Sequence, residues 1–355
     1  MKRIVAPLLA WYQENKRSLP WRDDPSPYHV WVSEIMLQQT RVEAVKGYYI
    51  RFLNELPDIR ALAAVSEEKL LKLWEGLGYY NRARNLQKAA QKIVEEYQGE
   101  MPSSYEEILK LPGIGAYTAG AVASIAFGQC VAAVDGNVLR VLARYLADPA
   151  DISDEGLKKQ RKTEIEEILP EKQPGVFNQA VMDLGAMICL PNGTPKCDVC
   201  PLAKQCLARE EGCVAELPVK APKARRRVEE KTVFVIRYQD RVMIRRRPAK
   251  GLLAGLYELP AAQGHLNQKA ALAYVEELGF QPLHIETLPD SKHIFSHLEW
   301  RMKGYLVRAD ELAKKGSWQK DPDCRMETPE SIDADYPIPS AFAAYAPYIR
   351  KKKQE

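Results

Sequence analysis

The run from Leu111 to Arg140, LPGIGAYTAGAVASIAFGQCVAAVDGNVLR, constrains this chain more than any other stretch. It opens on a turn, Leu111-Pro112-Gly113-Ile114-Gly115. Pro112 presets φ for the start of that turn, and Gly113 and Gly115 admit backbone angles that other residues resist. From Ala116 a helix of Ala, Thr, Val, Ser and Ile follows. Its first amides have no internal partner and carry positive partial charge, and glycines beside them let a phosphate approach the backbone. Two helices joined by such a hairpin grip a nucleic-acid backbone without reading its sequence. Gly-x-Gly alone would favour an ordinary connection between helices. The segment downstream separates the two readings. Val131–Val134 is a small apolar run that delivers Asp135 to the start of a new helix over residues 137–146. A carboxylate there is expected to be held ionised by the helix dipole and free amides. In isolation, an Asp at such a place is only a cap.

A second carboxylate stands in a helical stretch over residues 27–54. On the same face as Glu34 lie Val30, Trp31, Leu37 and Gln38, three of them apolar. A carboxyl in that setting is partly desolvated and its pKa is raised, which suits a general acid near neutral pH. Most glutamates are solvated on helix surfaces; Trp31 and Leu37 argue against that fate here. Residues 66–98 give two more helices, joined through Glu75-Gly76-Leu77-Gly78-Tyr79-Tyr80-Asn81-Arg82-Ala83-Arg84. Tyrosines in that loop can wedge between or stack on bases while its arginines meet phosphate, or the tyrosine pair packs on the core of a tight turn.

Four cysteines, Cys189, Cys197, Cys200 and Cys206, fall within 18 residues after a further helical stretch over 151–190. Seven cysteines in all, unevenly spaced, do not form a secreted disulfide framework. A cluster in a reducing compartment is a metal site far more often than a set of free thiols. Thiolates alone serve zinc or an iron–sulfur cube equally well. The N-terminus has a basic start and a short apolar run but no small-residue cleavage site, so an amphipathic helix is expected. No apolar run reaches membrane-spanning length. The net charge of +4 is too mild to indicate DNA binding by itself. A cytosolic protein is expected.

Beyond Glu216 the chain turns basic and proline-broken, the pattern of a connector. An α+β pattern follows: a hairpin around Gln239-Asp240, a short strand over 256–260, a helix over 269–278, a strand over 300–307 and a final helix near Tyr345.

Taken in order, Pro20-Trp21-Arg22, Ser33–Thr40, Gly76–Arg82, the hairpin, Val134–Asn137, the cysteine cluster and the tail resemble adenine DNA glycosylases of the MutY family, in the helix-hairpin-helix glycosylase superfamily. The resemblance covers nearly the full length. It implies an all-α helix-hairpin-helix domain with an iron–sulfur module over residues 1–215, with the hairpin at 111–128 and the cluster at 189–206. A basic linker over 216–230 and an α+β Nudix-like lesion-recognition domain over 231–355 complete the layout. It implies a 4Fe–4S cluster on Cys189, Cys197, Cys200 and Cys206, although seven residues separate the first two, one more than is usual in the family. Cys213 is a substitute ligand that fits the pattern worse. The substrate implied is duplex DNA carrying adenine opposite 8-oxoguanine or guanine, bound by a monomer. Glu34 is the acid that protonates adenine and Asp135 stabilises or attacks the sugar. Asn137 orients Asp135 or water, and Tyr117 hydrogen-bonds the carboxylates or the base. Trp21, Arg22, Leu37 and Gln179 line the adenine pocket. Gln39, Thr40, Leu77 and Tyr79 meet the opposite base, Gly113 and Gly115 hold the backbone, and Phe295-Ser296-His297 checks the lesion.

Related chemistries want residues that are missing. A bifunctional lyase of the endonuclease III type carries a lysine where Tyr117 stands, since an amine must form the Schiff base. A Nudix hydrolase needs Arg-Glu and a further Glu to hold magnesium, where this chain has Leu272-Ala273 and Gly264. The tail is therefore expected to bind without hydrolysing. A non-catalytic DNA-binding protein would have no reason to keep Glu34 together with Asp135.

Overall fold

The computed structural model describes residues 1–222, 225–312 and 317–350. Two compact units divide the chain: residues 1–65 with 81–222, and residues 66–80 with those described beyond 222.

The first unit is helical. Its central layer is the hairpin helix Ala116–Phe127, packed against Pro27–Leu37 and Pro174–Met187. The hairpin helix is small along its length because it is buried along its length, from Thr118 to Ser124. At Gly120 the backbone of the following segment comes so close that a Cβ would stand 2.4 Å from the Ala132 carbonyl oxygen. That approach lets the run Val131–Val134 lie along the helix and reach Gly136–Tyr145, the helix capped by Asp135. Leu8, Ala121, Ala133, Val138, Leu142, Phe177, Val181 and Leu184 share one core here. In the turn Leu111–Gly115 it is Gly113 that needs glycine for its backbone, with φ of +75°. Gly115 sits at φ −97° as the residue before the helix, with open space where a Cβ would be. The expected freedom at both glycines is thus used at one.

In the second unit seven strands form one sheet: β1 (Arg227–Tyr238), β2 (Arg241–Arg246), β3 (Tyr257–Glu258), β4 (Ala261–Gln263), β5 (Phe280–Ile294), β6 (Leu298–Leu312) and β7 (Cys324–Glu327). Their order is β3-β2-β1-β6-β5, with β4 on β1 and β7 on β2. The long β1–β6 pair is parallel and β5–β6 antiparallel. Alternation along β1 splits the apolar side chains between two faces. Val233 and Val235 join Trp300, Met302, Phe342 and Tyr345 on one side. Phe234 and Ile236 join Ala271, Val275 and Val307 on the other, beneath the helix Gln268–Glu277. Residues 66–80 belong to this unit. Their helix Glu67–Leu73 sits beside Pro329–Asp335, where Lys72 Nζ donates to the Ile332 and Tyr336 carbonyls, both at 3.3 Å.

Several expectations need correction. Strand β1 begins at Arg227, inside the stretch assigned to the linker, and Lys223 and Ala224 lie outside the described residues. Before them, Leu217 is buried and its carbonyl accepts from Arg144 Nε at 2.8 Å, while the Val219 carbonyl accepts from the Ile152 amide. Charge and proline concealed both attachments. Strand β5 went unread because it is an edge strand whose side chains are mostly exposed, without the apolar alternation of a half-buried strand. The terminal helix near Tyr345 is a 3-10 turn, Ser340–Tyr345, running into Ala346–Arg350. No helix among the described residues is long and apolar enough to cross a membrane.

The contact at Gly120 gives a stability test. Gly120→Ala gains about 1 kcal/mol of helix propensity but must displace the backbone at Ala132. The net expectation is a loss of about 1–3 kcal/mol in urea unfolding. Gly115→Ala, in open space at an ordinary φ, should change stability by under about 0.5 kcal/mol.

Candidate active site

One large cavity of about 1260 Å³ opens in the helical unit. Glu34, Tyr117, Asp135, Asn137, Trp21, Arg22, Leu37, Gln179, Gln39, Thr40 and Gly115 all contribute to its wall. The chain thus brings together side chains that lie up to 158 positions apart in sequence (Trp21 to Gln179). Gly113, exposed in the hairpin, does not line it.

Glu34 is 7% exposed and its Oε2 accepts a 2.6 Å hydrogen bond from the Tyr117 hydroxyl. Burial pushes the Glu34 carboxyl up to about 7, against the pull of the Tyr117 hydrogen bond and of Arg22, and with a push from Asp135. Burial also raises the Tyr117 phenol well above its ordinary value, so it stays protonated and donates. With Oε2 occupied by that donor, a proton bound at Glu34 is carried by Oε1. The helix holding Glu34 starts with Ser26 as cap and Pro27 in its first turn. Its far end is closed by Arg82, whose Nη1 donates to the carbonyls of Ile35, Met36 and Gln38 at 2.7, 3.0 and 2.6 Å. An arginine expected to meet phosphate therefore caps the catalytic helix.

Asp135 is fixed by three donors from the first turn of the helix it caps. Its Oδ1 accepts from the amides of Asn137 (2.9 Å) and Val138 (2.8 Å), and its Oδ2 from Asn137 Nδ2 (2.7 Å). Asn137 Oδ1 in turn accepts from Arg140 Nη2 at 2.9 Å, and Arg140 Nε donates to the Cys189 carbonyl at 2.8 Å. Asp135 was expected to be held ionised by the amides and the helix dipole, and a second influence opposes them. Burial raises the Asp135 carboxyl, and the amides, Asn137 and Arg140 offset that rise only in part. The two carboxyls are both shifted upward, not pushed in opposite directions. The run leading to Asp135 is strapped down by residues that the sequence did not single out. The Ala133 amide donates to Asn178 Oδ1, and Asn178 Nδ2 donates to the Val131 carbonyl and Ser124 Oγ, at 3.2, 2.9 and 2.8 Å. The Ala132 amide donates to Glu166. Without them a run of buried backbone amides would be unpaired.

Trp21 is buried and edge-on to Tyr49. Gln179 accepts from the Tyr12 hydroxyl at 3.4 Å and donates to the Gly175 carbonyl. Arg22 faces a partner not foreseen: both its terminal nitrogens donate to Asp183, at 2.8 and 3.0 Å. Gln39 is exposed with φ of 59°, and Thr40 Oγ1 accepts from Arg82. In the second unit, Leu77 is buried at 5% exposure, whereas Tyr79 is 48% exposed at φ 48°. Of the tyrosine pair only Tyr79 is at the surface; Tyr80 is buried. Phe295 packs edge-on against Trp300 at 4.9 Å and its amide donates to the Leu298 carbonyl, making a tight turn between β5 and β6. Ser296 and His297, 3.3 Å apart at Oγ and Nδ1, are exposed at its tip.

The four clustered thiols line a cavity of about 30 Å³, with Ile188, Ala203 and Arg144 among its other walls. Arg144 Nη1 donates to Cys189 Sγ at 3.3 Å. Among the described residues no group of three His, Cys, Asp or Glu side chains is arranged to hold a single ion. Cys213 lies outside that lining, with its thiol 4.0 Å from a Glu211 oxygen.

The raised Glu34 carboxyl has a consequence for stability. An acid whose folded pKa exceeds its unfolded value favours the fold when protonated, so its contribution is complete below about pH 4.5 and lost as pH rises through about 7. Glu34→Gln keeps an acceptor for Tyr117 and cannot ionise. It should leave stability near wild type at pH 5 and raise it at pH 8 by about 2–3 kcal/mol, measured by urea unfolding at both pH values.

Comparison with known proteins agrees with this arrangement. Residues 32–169 match the family model of the HhH-GPD superfamily of base excision DNA repair proteins, and residues 232–346 that of the NUDIX domain. An adenine DNA glycosylase of Buchnera aphidicola is 36% identical over 93% of this chain and 93% of its own length. The human adenine DNA glycosylase is also 36% identical, over 84% of this chain, which spans 65% of that protein. Among solved structures, a thermostable thymine-DNA glycosylase is 31% identical with a TM-score of 0.55, covering 59% of this chain and 96% of its own. An endonuclease III trapped covalently on DNA is 25% identical with a TM-score of 0.52, covering 60% and 98%. Near-complete coverage in both directions, with both carboxylates in one cavity, places this chain in the family of adenine DNA glycosylases, hydrolases of N-glycosidic bonds within the helix-hairpin-helix base-excision repair superfamily.

Proposed function

We propose that this chain removes adenine paired with 8-oxoguanine or guanine in duplex DNA by hydrolysis, without cutting the strand. The observation that carries the reading is a buried Glu34, bonded to the Tyr117 hydroxyl at 2.6 Å, in one cavity with Asp135. The base leaves the stack at a cost of a few kcal/mol and enters the cavity. Adenine is a poor leaving group as an anion. Glu34 gives its proton to a ring nitrogen, N7, and the C1′–N9 electron pair departs with the base. The sugar becomes oxocarbenium-like, and Asp135, steered by Asn137, stabilises that charge. Water adds at C1′ and loses its proton to the carboxylate. The pairing of an acid with an ionised partner is glycosidase logic applied to DNA. Trp21, Leu37 and Gln179 wall the base, and Arg22 takes part through Asp183. Tyr117 has no amine, so no Schiff base forms on the hairpin. Lys16 and Lys172 also reach the cavity wall, but both are exposed and lack the desolvation that activates a lysine nucleophile.

On the opposite strand, Gln39, Thr40 and Tyr79 are proposed to meet the partner base, with the Nudix-like unit binding oxidised guanine through Ser296 and His297. Support comes from the exposure of that polar pair on a turn anchored by Phe295. The protein is proposed to act as a cytosolic monomer, consistent with a thiol cluster that needs a reducing habitat.

The four cysteines are proposed to hold a 4Fe–4S cluster. A cube takes one thiolate per iron, so its donors surround a cavity without three of them converging on one ion, as zinc requires. The lining of Ile188 and Ala203 beside Arg144 suits a group carrying thiolate charge. When bound, the cluster ties the segment 189–206 together.

The direct test is single turnover on duplexes with adenine opposite 8-oxoguanine. Wild type should yield sites that break only after alkali. Glu34→Gln should bind the duplex and release no adenine; near-wild-type release would remove Glu34 from its role. Ser296→Ala with His297→Ala should narrow the preference for 8-oxoguanine over guanine, by about 1–3 kcal/mol for a lost polar base contact.

Metal content tests the cluster. Protein purified anaerobically should be brown, with about four irons per chain. Cys197→Ser should lower the iron content and Cys213→Ser leave it unchanged. Zinc without iron, in protein from iron-replete cells, would defeat the assignment.

A further inference from the structure

Asp183 is wholly buried at 0% exposure, yet it is surrounded by charge. Arg17 donates to it from its backbone amide at 3.2 Å, from Nε at 2.8 Å and from Nη2 at 2.5 Å. Arg22 adds two donors from the other side. Five donors thus satisfy a carboxylate that would otherwise be among the costliest groups to bury. Both arginines line the active-site cavity, and the residue between Arg22 and the short helix start is Trp21. Asp183 itself lies on the helix Pro174–Met187, one turn beyond Gln179 and next to Met182, whose sulfur stands 3.7 Å from the Tyr117 hydroxyl.

Resting on the reading above, we propose that Asp183 is a positioning residue for the acid: it fixes Arg17 and Arg22 at the cavity wall and offsets their charge, so that Glu34 meets in Arg22 a paired cation and not a free one. The groups acting on Glu34 come from three directions. Tyr117 reaches it from the hairpin helix, Asp135 from the start of Gly136–Tyr145 and Arg22 from Pro20–Asp23. Of these only Arg22 is a cation, and it favours the ionised acid. An unpaired arginine there would favour the ionised form of Glu34 more strongly than a paired one. Asp183 keeps the ion pair: burial pushes its carboxyl up, but Arg22 and Arg17 outweigh burial and hold it below the usual carboxylate range. An ordinary buried ion pair would give the wall its shape and nothing more. The two roles differ in what they do to a pH profile.

The test is the pH dependence of single-turnover adenine release at saturating enzyme, for wild type, Asp183→Asn, Arg22→Gln and the double replacement. Wild type should lose activity as pH rises through about 7. Asp183→Asn, which leaves two uncompensated cations, should move that alkaline limb to lower pH by about 1 unit, the smaller end of what a neighbouring charge does. Arg22→Gln should move it to higher pH, and the double replacement should return it toward wild type. A limb that stays in place in Asp183→Asn while the plateau rate falls reduces Asp183 to a structural ion pair and overturns the proposal. If Asp183→Asn does not fold, an unmoved limb in Arg22→Gln overturns it equally. Wild type that releases no adenine at any pH sinks the proposed function instead, so the two failures are distinct.

Discussion

The hydrogen bond from Tyr117 to Glu34 is the contact on which the rest of the helical unit is arranged. A carboxyl taken out of water favours its neutral form, and a phenol donating to it resists that change without cancelling it. The balance leaves an acid that changes state near neutral pH, where a donor is most useful. Tyr117 sits on the helix whose leading hairpin presents free amides outward. One rigid element therefore carries both the surface that suits a phosphate backbone and the partner of the acid.

Around that contact the polar groups are bonded to one another across helices. Asn178 and Glu166 secure the run that ends at Asp135, Asn137 orients the carboxylate, and Arg140 joins Asn137 to the Cys189 carbonyl. A network of this kind is rigid only when its members are satisfied. Here Asn178, Asn137 and Arg140 each bond to more than one partner, and Arg82 closes the end of the helix that carries Glu34. Glu34 and Asp135 are held by groups that are themselves bonded to other elements, the arrangement a precisely positioned site needs.

The second unit solves a different problem. Its sheet buries one face under Gln268–Glu277 and the other under the C-terminal helices, as alternation along β1 requires. The turn between β5 and β6 is then anchored by Phe295 on Trp300 and leaves Ser296 and His297 in water. Residues that a Nudix hydrolase would use for magnesium are replaced by Leu272, Ala273 and Gly264. What remains is a stable platform that displays a short polar loop.

Much of this was legible in the sequence. The hairpin, the apolar run to Asp135, the apolar face around Glu34 and the cysteine spacing are local signals, because turn chemistry, helix periodicity and ligand spacing act over a few residues. They were enough to name both carboxylates and the fold class. The sequence could not show which distant side chains meet. Arg22 and Arg82 read as lining the base pocket and meeting phosphate; packing gives each a further partner, Asp183 for the one and the end of the Glu34 helix for the other. Asn178, Glu166 and Asp183 carry no local signature at all, since their partners are brought to them only by packing. The balance at Asp135 was hidden for the same reason: amides and a helix dipole are visible in sequence, whereas the burial that outweighs them is a property of the assembled fold. Tertiary structure alone decided the charge balance of the site, because desolvation depends on everything that surrounds a group and not on its neighbours along the chain.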